Sequence, residues 1–133
     1  MPIRFDDSNP HNVCITLTGH VDAREYDENN ARLVARMQLA HRERVKFGIL
    51  VDGRDSTPPG AKERQGMGRF MEDNAALMSA TVYGQVIVLS NALQRGVLTA
   101  ILWIRPFPMP HYVTGSPEDG MAWLEAQRRG LAA

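Results

Sequence analysis

Asp52, Arg54, Asp55, Ser56 and Thr57 put two carboxylates, a guanidinium and two hydroxyls into one short stretch that directly follows an apolar run. Open α/β sheets place their ligands at the carboxyl ends of central strands, the position these residues take if Phe47–Val51 is such a strand. Ser56 and Thr57 also precede a helical pattern, whose first backbone N–H groups can hold an anion or a phosphorylated hydroxyl. The stretch from Asp52 to Gly60 reads as a polar loop, and its Asp, Ser, Pro and Gly are equally what an ordinary turn is made of. No histidine lies close in sequence. A hydrolase built on Asp52 or Asp55 would need His20 or His111 brought in by the fold, so that reading ranks third.

Other chemistries find little support. His11, His20, His41 and His111 are scattered, and Cys14 is the only cysteine, so no zinc-ligand spacing occurs. The phosphate-binding pattern Gly-x-x-x-x-Gly-Lys-Ser/Thr and the Gly-x-Ser-x-Gly elbow are both missing. Gly66-Met-Gly68 falls within a helical pattern, not at a strand-to-helix turn, and is no dinucleotide fingerprint. No catalytic residue, metal or cofactor is expected.

Composition narrows the class further. The chain has 133 residues, 44% of them hydrophobic and 23% charged, which is enough to bury one core without staples. Fifteen basic residues balance fifteen acidic ones. A net charge of zero argues against nucleic acid, whose phosphates call for a basic surface. The longest apolar run, Val97–Ile104, is too short to cross a bilayer and is broken by Thr99. The start carries no secretory signal, and a lone Cys14 in a strand pattern suits a reducing compartment. A cytoplasmic location is expected.

The elements that must position these residues follow from periodicity. Ile3 and Phe5 mark a short strand. Val13, Ile15 and Leu17 alternate with Cys14, Thr16 and Thr18 in a second, with Ser8-Asn9-Pro10 as the turn of an antiparallel hairpin. From about Asp22, Tyr26, Leu33, Met37 and Ala40 recur at helical spacing. After the strand Phe47–Val51, a second helix over about Ala61–Ser79 buries Met67, Phe70 or Met71, and Leu77 or Met78. Gly66 and Gly68 weaken its first half by roughly 1 kcal/mol each. Val82–Leu89 is a further strand, in which Gly84 signals a bulge or a close contact. Ser90 and Asn91 can cap a helix over Ala92–Ile104, apolar enough to be largely buried. Arg105–Pro110, with three prolines, forms an extended connector. His111–Thr114 is a last strand. Ser116-Pro-Glu-Asp119 opens a final helix, with Arg128, Arg129 and Gly130 at its end.

The order ββαβαβαβα defines a single α/β domain over residues 1–133: a mainly parallel sheet of about five strands, an N-terminal β-hairpin and four helices. If helices cover one face only, Val13, Ile15 and Leu17 pack inward while Cys14, Thr16 and Thr18 leave a face partly open, a route to a homodimer.

Three stretches carry a family resemblance: Gly48-Ile-Leu-Val-Asp-Gly-Arg54, Val86-Ile-Val-Leu-Ser-Asn-Ala92, and Tyr112-Val-Thr-Gly-Ser-Pro-Glu-Asp-Gly-Met-Ala-Trp-Leu124. With them the chain resembles the STAS-like proteins, in particular the loose SpoIIAA-like group related to anti-sigma-factor antagonists. The resemblance implies a regulatory, non-enzymatic module that binds a protein partner in a signalling pathway. It also implies a phosphoacceptor at Ser56 or Thr57, since Asp55-Ser56-Thr57 matches most of the Asp-Ser-Ser/Thr-Gly segment phosphorylated in true antagonists. Here Pro58-Pro59 stands where that segment has glycine. The rival reading is a small-molecule or lipid-binding sensor or carrier, whose third helix and methionines line an apolar pocket.

Overall fold

The structure is a computed structural model that describes residues 2–104 and 106–132. Among these residues the strands are β1 (Ile3–Asp6), β2 (Asn12–Gly19), β3 (Phe47–Ser56), β4 (Val82–Val88) and β5 (His111–Thr114). The helices are α1 (Ala23–Glu43), α2 (Ala61–Thr81), α3 (Ala92–Ile104) and α4 (Pro117–Ala132). The five strands form one sheet in the order β1-β2-β3-β4-β5, with β1 antiparallel to β2 and every other pair parallel. The fold is therefore the expected α/β domain, hairpin included.

Side-chain alternation divides the sheet between two cores. Val13, Ile15 and Ile49 face one way, with Leu33 and Met37 of α1 and Met78 of α2 against them. Leu50, Val86 and Val88 face the other, against Leu124 of α4. Helices therefore cover both faces, α4 the second, so the condition for a partly open sheet face is not met. Cys14 packs against that second cluster, and burial pushes its thiol pKa up, so it behaves as a small apolar side chain.

Two glycines let α4 sit so close. A Cβ at Gly84 would stand 2.8 Å from the Trp123 ring, and one at Gly120 only 2.6 Å from Val86. Both signals read at Gly84 hold, since the register also shifts beside it, between Phe47 and Gly48. Local chemistry sets the helix starts. Asp22 and Glu25 form a reciprocal capping box on α1. Ser116 Oγ accepts the Asp119 N–H at 3.2 Å, as its sequence position suggests.

Two boundaries move outward. α2 is unbroken through Gly66 and Gly68 and continues to Thr81, burying Met71 and Met78 while Phe70 and Leu77 are partly buried. α4 runs past Gly130 to Ala132. In the connector, Arg105 lies outside the described residues. Pro106–Pro110 is not helical, and it places Met109 in the first core with Phe107 packed against it.

Two corrections bear on function. First, β3 does not end at Val51 but continues to Ser56, so most of the presumed loop is strand and only residues 57–60 are loop. Polar residues hid the extension. β4 pairs with β3 only as far as Asp52, beyond which Asp55 and Ser56 pair with Thr18 and Gly19 of β2 alone. Second, α3 is not largely buried. Leu93 is 68% exposed and Trp103 86%, and a cavity lies beneath this apolar helix.

Candidate functional site

The overhanging end of β3 carries different chemistry on its two faces. Asp52 follows Leu50 by two residues and so points to the α4 side, where Arg54 joins it. The Arg54 guanidinium forks onto the Asp52 carboxylate, Nε to Oδ1 at 3.0 Å and Nη2 to Oδ2 at 2.9 Å. These hydrogen bonds hold the Asp52 carboxyl below the usual carboxylate range. Such a pair is a charge-neutral recognition element and not a poised acid or base. Asp55 is exposed beside it. Among the described residues no histidine hydrogen-bonds to either acid. Among the described residues no three or more His, Cys, Asp or Glu side chains converge as a metal site would require. His20 instead stands 3.9 Å from Glu63 at the start of α2.

The two candidate phosphoacceptors differ in access. Ser56 is half-buried and its Oγ donates to the Gly53 carbonyl at 2.8 Å. Thr57 is exposed, with its backbone N–H on the Gly19 carbonyl at 3.0 Å. Gly60, which opens α2, supplies no side-chain cap.

Where β4 stops, side chains take over its role toward β3. Gln94 is 7% exposed, and its Nε2 donates to the carbonyls of Gly53 at 3.0 Å, Arg54 at 3.3 Å and Ser56 at 2.8 Å. Ser90 Oγ donates to Arg54 O at 3.1 Å, and Ser90 N–H donates to Gln94 Oε1 at 2.8 Å. Asn91 Oδ1 accepts the Gln94 backbone N–H, capping α3 as expected. These bonds bind the start of α3 to the end of β3. Sequence reasoning missed Gln94, although Asn91-x-x-Gln94 has the spacing of a capping box.

Beyond this clamp α3 spans a cavity of about 210 Å³. Its floor is the first face of the sheet, with Ile15, Ile49 and Ile87. Met67 and Met71 of α2 form a wall, and Leu98 of α3 lies over it. For scale, a dry apolar cavity of roughly 150 Å³ admits benzene. Among the described residues no side chain lining it is charged. Tyr26 of α1 contributes a neutral phenol, its pKa pushed up to about 12 by burial first and by the Glu63 carboxylate second. Asp52 and Arg54 thus lie on the face opposite the cavity, Ser56 and Thr57 border the cavity itself, and Gln94 links the two.

A five-stranded mixed sheet with α1 and α2 on one face and α4 on the other is a SpoIIAA-like fold. Superposition supports it with a solved structure, an uncharacterized protein of the DUF3478 family with a SpoIIAA-like fold from Shewanella loihica PV-4. The two share 14% identity over 92% of this chain and 91% of that one, with a TM-score of 0.66. No family model matches the chain, and no curated protein does. Among the described residues no helix is long and apolar enough to cross a membrane.

Proposed function

We propose that the chain is a non-enzymatic sensor module: a small apolar molecule occupies the cavity beneath α3, and the rim of Asp52, Arg54, Asp55, Ser56 and Thr57 engages a protein partner. The Gln94 clamp carries this reading. It fixes the start of the helix that roofs the cavity to the strand that bears the rim, so displacement of α3 by an occupant is felt at the contact surface. The small-molecule reading gains weight over a purely protein-binding one from the cavity and its under-packed roof. A hydrolase gains none, because Asp52 is neutralised by Arg54.

Native mass spectrometry of freshly purified protein tests the first half, with an added small mass expected and a bare chain counting against it. For the second half, Arg54→Ala and Asp55→Ala should leave folding intact and abolish co-purification of the partner. Retention of every partner by both variants would leave the rim with a structural role alone. If the module is switched by phosphorylation, Thr57 is the better placed of the two hydroxyls. Phosphate there meets the uncapped start of α2 but is opposed by Asp55. Phosphopeptide mapping that finds Thr57 and Ser56 always unmodified would remove the switch.

A further inference from the structure

The cavity beneath α3 is mostly apolar, and two of the residues around it carry an amide oxygen that the fold leaves unpaired. Asn29 Oδ1, from α1, and Gln85 Oε1, from β4, are both buried and accept no hydrogen bond. Both residues line the cavity. Buried amide oxygens are nearly always paired, and leaving one unpaired is costly. Their positions are not accidents of a loose surface. Gln85 pairs in register with Ile49 on one side and His111 on the other, and alternation turns it toward the cavity together with Ile87. Asn29 lies one helical turn beyond Tyr26, on the same side of α1.

Of the other polar side chains in the lining, Tyr26 adds its phenol and Asn30 its amide, while Gln94, Ser56 and Thr57 are committed to backbone carbonyls. Gln94 spends its amide on the carbonyls of β3, and Ser56 spends its hydroxyl on Gly53. The orphaned oxygens are therefore acceptors in want of a donor. No cation among the described lining residues stands ready for an anion. A carboxylate brought here would lose its water without a charged partner, and a neutral hydroxyl would not.

We infer that the cavity selects a neutral amphiphile: an apolar body against the isoleucines and methionines, and a hydroxyl or similar uncharged donor between Asn29 and Gln85. This deepens the sensor reading above and rests on its claim that the cavity is occupied. It excludes fatty-acid anions as the natural occupant and admits alcohols, phenol-like hydroxyls and short monoacyl esters small enough for the space.

Isothermal titration calorimetry at neutral pH with three probes of similar size decides the matter: octanol, octanoate and heptyl methyl ether. Octanol should bind most tightly, roughly tenfold better than octanoate, with the ether, which lacks an O–H, between them. In Gln85→Leu, and independently in Asn29→Leu, the advantage of octanol over the ether should shrink to about twofold or less, while the ether binds as before. Gln85→Leu removes an unpaired buried oxygen, so it should fold as well as the parent, and circular dichroism checks both variants. Octanoate binding as tightly as octanol would overturn the neutral assignment and leave the sensor reading standing. Equal binding of octanol and ether to the parent would overturn the role of the two amides. Failure of all three probes would overturn the occupied cavity itself, and this inference with it.

Discussion

The two faces of the sheet bury helices by opposite means. On one face α4 is drawn in by glycines: Trp123 lies over Gly84, Gly120 lies over Val86, and Trp123 stacks on Tyr112 with ring centroids 5.7 Å apart. On the other face α3 is the more apolar helix by composition and the less buried one, with Leu93 and Trp103 turned outward and a cavity beneath it. Apolar composition states what a helix can bury. Whether it buries anything depends on a surface shaped to receive it. One face of this molecule is filled for stability, and the other keeps space.

The two tryptophans, both in helices, offer the sharpest way to break that contrast. Trp123→Ala removes a ring wedged between a helix and the sheet and should cost about 3 kcal/mol, read as a fall in the urea midpoint without a change of slope. A loss below about 1 kcal/mol would mean that α4 is no better packed than α3. Next in size comes the clamp. Gln94→Leu keeps the volume but leaves the carbonyls of Gly53, Arg54 and Ser56 without that donor, at a cost of about 2 kcal/mol. Parental stability in this variant would show that α3 is held by something other than Gln94.

Much of this layout was legible in the chain. Alternation in Val13–Leu17, the apolar run Phe47–Val51 and the Ser116-Pro-Glu-Asp start specified the sheet and its last helix, because each is a local signal with a local cause. Gly84 was read rightly for the same reason. The end of β3 was not legible. Asp52-Gly-Arg-Asp-Ser looks like a turn because the strand overhangs its neighbour, and a strand edge satisfied by side chains needs no apolar alternation. The exposure of α3 was hidden too, since no residue of a helix records the absence of a partner. The rim residues are singled out by type alone. The unpaired amides of Asn29 and Gln85 were not legible, for a single amide amid apolar periodicity reads as noise until the fold shows it unpaired.

Smaller than these is the effect expected at the exposed tryptophan. Trp103→Ala should change stability by no more than about 0.5 kcal/mol in either direction, since the ring is 86% exposed. A loss comparable to that of Trp123→Ala would show that the outer side of α3 is covered in solution, and would move the boundary between the filled and the open face.

The smallest effect is electrostatic and belongs to the rim. Arg54 depresses the Asp52 pKa chiefly through its side-chain hydrogen bonds, so the pair favours the folded state only while Asp52 is ionised. Its contribution is present above the ordinary aspartate value of about 3.9 and is lost as the pH falls through the lower, folded value. Arg54→Ala should therefore raise the Asp52 pKa in an NMR titration. The stability gap between variant and parent should be open at neutral pH and close in acid. Salt should narrow it, because the guanidinium is solvent-exposed and its field is screened. A gap that persisted unchanged below the folded pKa would assign the work of Arg54 to packing of its stem across the overhang and not to its charge, and the rim would then be a structural seam on the filled face instead of a surface held ready for a partner.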